Sequence, residues 1–143
     1  MPYSSRLKKM LFLFLLFFTI RCSAQSENAN PIDIDYHACL AKDTSYANVC
    51  NCAYTAYDKW DKEMDKAYGK LLKILKKEKD KNVLKESQTA WMAYRDAEFK
   101  SYDNMFDLPG AKWCGLRQDG RIDIVRSRAV QFSNYIEVLK KRE

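Results

Sequence analysis

The stretch Cys52-Ala-Tyr-Thr-Ala-Tyr-Asp-Lys-Trp-Asp-Lys-Glu-Met-Asp-Lys-Ala-Tyr68 decides the fold. Its apolar residues fall at 53, 56, 57, 60, 64, 67 and 68, and Leu71 and Leu75 continue the series. This is the i, i+3, i+4, i+7 spacing of one helical face, which an alternating strand pattern does not fit. Between those positions stand Asp58, Lys59, Asp61, Lys62, Glu63, Asp65 and Lys66, the composition of a solvated opposite face. A helix wet on one side must bury the other, so it needs helical partners.

Working outward, the pattern predicts a first long helix over 46–77, opened by the capping residues Asp43-Thr44-Ser45. Before it, Tyr36 to Lys42 suits a short helical turn carrying Cys39, and residues 25–35, polar and interrupted by Pro31, read as a flexible lead-in. A second helix is expected over 82–106, capped by Asp80 or Asn82. Its inner face reads Leu84, Ser87, Trp91, Tyr94, Ala97, Tyr102 and Met105, with Phe99 and Phe106 on a flank. Asp107-Leu108-Pro109-Gly110 stops it, because proline cannot continue the hydrogen-bond ladder. A glycine-punctuated loop then runs to Gly120 and holds Trp113 and Cys114. A third helix over 121–140 carries the stripe Ile122, Val125, Ala129, Phe132, Ile136 and Leu139. The expected fold is all-α: an antiparallel bundle of three main helices with a short N-terminal helical turn, disulfide-stapled, occupying 36–143.

The first 24 of the 143 residues read as a secretory signal peptide. Arg6, Lys8 and Lys9 precede the apolar run Met10 to Ile20, and Cys22-Ser23-Ala24 offers a small-residue cleavage site before Gln25. The run is too short to span a bilayer, and no second one follows. Cys22 stands where a lipoprotein would carry its lipid, but that signal wants a small preceding residue and Arg21 is there, which favours plain cleavage after Ala24. The expected location is the periplasm or the extracellular space. Processing removes four basic residues and no acid, taking the net charge from +6 to +2, so nothing global points to nucleic acid. Four cysteines remain, Cys39, Cys50, Cys52 and Cys114, and an even number in an exported chain favours two disulfides. Cys50 and Cys52 diverge at a helix start, which leaves Cys39 for one of them and Cys114 for the other.

For chemistry, the only histidine is His37, in the region before the bundle, and the acids mostly alternate with lysines on wet faces. No serine sits in a nucleophile elbow and no glycine-rich loop follows a strand, so no enzyme and no cofactor are expected. His37 with Cys39, Cys50 and Cys52 would make a tetrahedral zinc set, although the one-residue spacings are tight and an oxidising compartment favours disulfides over thiolates. In Gln88-Thr-Ala-Trp91-Met-Ala-Tyr94-Arg95-Asp96-Ala-Glu98-Phe99, Arg95 can lie over Trp91 and reach Glu98, which suggests an interhelical polar clamp. Trp113 can lid the bundle's end or project as an anchor for a partner. The lysines from Lys70 to Lys81 read as a solvated helix end, with contact to an anionic wall polymer or lipid as the alternative.

Two motifs together resemble a known family. They are Cys52-Ala-x-x-Ala-Tyr57-x-x-Trp60-Asp61-x-x-Met64-Asp65-x-x-Tyr68 and Leu84-Lys-Glu-Ser-Gln88-x-Ala-Trp91-x-x-Tyr94-Arg95-Asp96-Ala-Glu98. The chain is similar, from about Cys39 to Leu139, to the lysozyme inhibitor LprI-like N-terminal domain family of small exported bacterial proteins. The resemblance implies a helical, disulfide-bearing envelope domain whose one named activity is lysozyme inhibition. It also implies that Cys39 pairs with Cys52, leaving Cys50 for Cys114. Two family cysteines are replaced here by Phe99 and Gly120, and a customary asparagine by Asp65, so a second disulfide has been relocated. A protein partner in the envelope is expected, lysozyme by resemblance, with Asp103, Asp107 and Trp113 as contact residues. A structural or assembly partner without inhibitory activity is the alternative. Many lysozymes are cationic, and a net charge of +2 offers them no long-range attraction.

Overall fold

A computed structural model describes residues 30–141, all of it helix and connecting turn. The helices are α1 (Pro31–Leu40), α2 (Tyr46–Ile74), α3 (Glu78–Met105) and α4 (Ala111–Lys140). The expected signal peptide over 1–24, Cys22 and the first part of the lead-in lie outside the described residues.

Local chemistry explains three departures from the sequence reading. Residues 31–35 are not a flexible lead-in. The Asn30 side chain accepts the Ile32 N–H at 2.9 Å, and Pro31 stands at the helix start, where its missing N–H costs nothing. The expected short turn is therefore a ten-residue helix whose Tyr36 is buried. Residues 111–120 are not a loop: α4 begins directly after Gly110, whose φ of +113° is one that side chains resist. Gly115 and Gly120 are helical. A Cβ on Gly120 would lie 2.7 Å from the Tyr102 ring, so that glycine permits a close approach of α3 and α4. Finally, α3 starts at Glu78 without a side-chain cap. Glu78 and Asp80 in its first turn complement the positive helix end instead.

The α2 helix begins under a conventional cap, with Ser45 Oγ accepting the Asn48 N–H at 3.3 Å. It runs parallel to α4: Cys50 and Cys114 meet near their starts, and Ile74 and Ile136 line one groove near their ends. Together they build most of the core. Ala53, Ala56, Trp60, Met64, Ala67 and Leu71 face Ile122, Val125, Ala129, Phe132 and Ile136, and all are buried. The alanines on both sides let the two backbones approach closely.

Helix α1 lies antiparallel along α2, and α3 runs antiparallel to both long helices. Only Gln88 of α3 is buried, because this helix reaches the core through long side chains, Leu84, Trp91 and Phe99. Its true inner stripe steps 84, 88, 91, 95, 99. Tyr94 and Met105, expected inside, are 53 % and 57 % exposed. Two polar residues on the stripe, Gln88 and Arg95, had disguised it.

Two disulfides complete the bundle. Cys39–Cys52 joins the end of α1 to α2, and Cys50–Cys114 joins the starts of α2 and α4, with Cα separations of 5.8 and 5.9 Å. The zinc alternative is thereby overturned: its three thiolates are spent in disulfides, and Cys50 is bonded away from His37 toward α4. Among the described residues no group of three or more His, Cys, Asp or Glu side chains could hold a metal ion. No described helix is long and apolar enough to cross a membrane.

Candidate functional site

The motif residues divide between a structural hub in the middle of the bundle and a cleft at its disulfide-bonded end. In the hub, Trp60 is 2 % exposed and donates its indole N–H to Asp33 of α1 at 3.0 Å. Asp33 also accepts from Arg126 of α4 at 3.3 Å, so one carboxylate ties α1 to both long helices. Tyr36 adds a second tie, donating to Asp119 at 2.6 Å. Burial, and then that hydrogen bond, push its phenol well above the ordinary tyrosine range. Tyr68 packs on Phe132 with ring centres 5.6 Å apart.

The expected clamp across helices exists, but another residue makes it. Arg95 does lie over Trp91, 5.5 Å from the ring centre. Its ion pair, however, is with the adjacent Asp96 and not Glu98, and its hydrogen bond stays on its own helix. Arg128 of α4 is the crossing residue. It donates to Gln88 Oε1 at 3.0 Å, to Ser87 Oγ at 3.2 Å and to Gln131 Oε1 at 2.6 Å. Its guanidinium lies 4.4 Å from the Phe132 ring centre and 5.6 Å from that of Trp91. Burial lowers its pKa, against the opposing pull of Tyr135 and Tyr68, yet an arginine starts so high that it stays charged. Asp61 of α2 has a buried Oδ1 with no hydrogen-bond partner among the described residues. Burial and then the Asp65 charge raise its pKa, with Arg95 opposing.

The cleft lies where the starts of α2 and α4 meet the end of α3 and encloses about 520 Å³. Tyr46, Cys50 and Tyr54 form one wall, Asp103, Asn104 and Asp107 a second, and Cys114, Arg117, Gln118 and Arg121 the third. The Cys50–Cys114 bond fixes two of these walls together. Asp103 accepts two hydrogen bonds from Arg121 at 2.5 and 2.7 Å, so the expected acidic pair is half neutralised and only Asp107 stands apart from that ion pair. Arg117 donates to the Phe106 carbonyl, closing the turn between α3 and α4.

Trp113 sits on the first turn of α4 and not on a loop. Its ring stacks on Phe106, which stacks in turn on Tyr102, at 6.2 and 6.3 Å between ring centres. This column supports the cleft's outer wall. Among the described residues, two polar atoms at the cleft lack partners: Gln118 Oε1, on a residue only 4 % exposed, and Arg121 Nε. A buried carbonyl oxygen without a donor is costly, and it marks a place where a ligand group or water completes the bonding. In the cleft wall, Tyr46 and Tyr54 are 54 % and 55 % exposed.

Sequence reasoning missed Arg128, Gln118, Asp33 and Tyr36. A signal existed for the first two. Gln118 stands four before Ile122 and seven before Val125, and Arg128 stands three after Val125, so both are polar residues on the apolar stripe. Asp33 and Tyr36 carried none, since their partners lie on another helix 27 and 83 residues away.

The charge is polarised along the bundle. Beyond the Tyr68–Phe132 contact, residues 69–86 and 133–141 hold nine lysines against four acids. The other described residues, which include the cleft, hold eleven lysines and arginines against thirteen acids. The small net charge thus conceals a basic end on a slightly acidic remainder.

No curated protein and no solved structure matches the chain. A family model described as "Lysozyme inhibitor LprI" matches residues 39–131, a span that takes in both disulfides and the cleft but leaves out Asp33 and Tyr36 of the hub. Since that match covers well over half of its 143 residues, the chain belongs to the lysozyme inhibitor LprI family.

Proposed function

We propose that the chain is an exported binding module of the cell envelope, not an enzyme, and that it inhibits a lysozyme through the cleft at its disulfide-bonded end. The observation that carries this reading is the buried Gln118 carbonyl, unpartnered in a cleft rimmed by exposed Tyr46 and Tyr54. Aromatic rims around a desolvated polar pocket are where binding energy concentrates in protein interfaces. The lone acceptor calls for an N–H donor from the partner, and Asp107 beside it favours a cationic one. In this reading Asp103 holds Arg121 in place, and Trp113 holds the Phe106 turn, so both position the site more than they touch the partner.

The test is a lysozyme lysis assay with oxidised protein beginning at Gln25. Dose-dependent protection of cells is expected, and Tyr54→Ala with Asp107→Ala weakens it about tenfold or more without moving the melting temperature. Normal potency in that variant places the contact elsewhere. Absence of protection against several lysozyme types leaves the alternative, an assembly partner in the envelope.

A further inference from the structure

We propose that the lysine-rich end of the bundle, remote from the cleft, docks on an anionic bilayer surface. The ends of α2 and α4 form a groove of about 490 Å³. Ala67, Ile74 and Ile136 give it an apolar floor, and Lys70, Lys73 and Lys140 stand along it, with the carboxylates of Glu63 and Glu137 also on its walls. Glu63 is already paired with Lys66 at 2.9 Å. Beyond Tyr68 and Phe132 the surplus is five positive charges, in a chain whose remaining described part is slightly acidic. Two helix C-termini end there, each bringing a partial negative charge of about one half, so the surplus survives their offset.

Charge alone would serve any polyanion. The apolar component favours a bilayer. Val83 and Val138, on the first turns of α3 and the last of α4, are 56 % and 58 % exposed at this same end. An apolar-floored groove edged with amines accepts a phosphate head group and the first methylenes beneath it, whereas a hydrophilic phosphate polymer gains nothing from valines in water. Docking through this end would leave the cleft, at the opposite end of the parallel helices, facing away from the membrane.

Co-sedimentation with vesicles tests the proposal, using oxidised protein beginning at Gln25 and phosphatidylglycerol-containing or pure phosphatidylcholine vesicles. Binding only to the anionic vesicles, falling as salt rises, is the expected result. The variant K70Q/K73Q/K140Q lowers the partition about a hundredfold. The variant K59Q/K62Q/K112Q removes equal charge from the remainder of the chain and leaves the partition within about twofold of wild type. Helical circular dichroism confirms that both stay folded. Equal loss in the two variants overturns the proposal, as does failure of wild type to bind anionic vesicles. Binding to soluble polyphosphate as tight as to vesicles, or indifference to Val83→Ser with Val138→Ser, overturns the bilayer in favour of an anionic polymer.

Discussion

Replacing Arg128 by alanine removes three hydrogen bonds and a stacked cation in one step. Gln88, 5 % exposed, then keeps a buried carbonyl with no donor, because Arg128 Nε is its partner at 3.0 Å. A buried acceptor left unpaired costs about 1–3 kcal/mol. Losing the guanidinium from the faces of Phe132 and Trp91 adds about 0.5–2 kcal/mol. We expect Arg128→Ala to destabilise the protein by about 3 kcal/mol, a large part of a domain stability of about 5–15 kcal/mol. Arg128→Lys keeps the charge but not the fork of donors, and it should lose about 2 kcal/mol. Replacing both partners, as Gln88→Leu with Arg128→Met, removes the unpaired carbonyl and should return the protein to within about 1 kcal/mol of wild type. Urea unfolding followed by circular dichroism measures all four proteins, with the slope checked for constancy. A cost below about 1 kcal/mol for Arg128→Ala, or a double variant as unstable as the single one, refutes the clamp.

Three further outcomes follow from the same geometry. Removing the Cys50–Cys114 bond by paired serine substitution should cost about 4 kcal/mol, and removing Cys39–Cys52 about 3, because the sequence separations closed are 64 and 13 residues; guanidinium unfolding ranks them. Gly115→Ala should raise stability by about 0.5–1 kcal/mol, since its Cβ would meet Val49 at an ordinary 3.5 Å in a helix interior. Gly120→Ala should lower it by about 1–3 kcal/mol, because its Cβ would strike the Tyr102 ring at 2.7 Å; thermal melts of the two separate these signs. Asp61→Asn should stabilise the fold at neutral pH. The folded-state pKa of Asp61 is raised, so its carboxyl favours folding when protonated and loses that contribution as pH rises through its folded pKa. The variant's advantage should vanish at acid pH, and an advantage that persists there contradicts the assignment.

What could be read from the chain was what repeats. The α2 stripe from Ala53 to Leu71 and the α4 stripe from Ile122 to Ile136 are nearly pure apolar series, and both are core. The inner face of α3 was misread because Gln88 and Arg95 interrupt it while Tyr94 and Met105 imitate it. A side chain's burial there depends on which helix stands opposite, and periodicity on one helix does not contain that. The start of α4 was hidden for another reason. Gly110, Gly115 and Gly120 look like loop punctuation, but only the first makes a turn; Gly120 admits an aromatic ring from α3. Of the cleft, Asp103, Asp107 and Cys114 were nameable as residues. The Arg121 bond that ties up Asp103, and the stranded carbonyl of Gln118, exist only once three helix ends converge.

Both disulfides lie in the same half of the rod. Cys39–Cys52 and Cys50–Cys114 bind α1, α2 and α4 at the end where the long helices begin, and neither disulfide reaches the far ends of α2 and α4, where Leu71 and Ile136 pack in the core. Opening fluctuations should therefore be graded along the axis. Amide protons near Ile74 and Ile136 should exchange with solvent through partial unzipping, and those near Ala53 and Ile122 only through global unfolding. Trypsin, which cuts after lysine, should make its first cuts between Lys70 and Lys85 and leave a cross-linked remnant around the cleft. Under oxidising conditions the binding end would then outlast the fold that carries it.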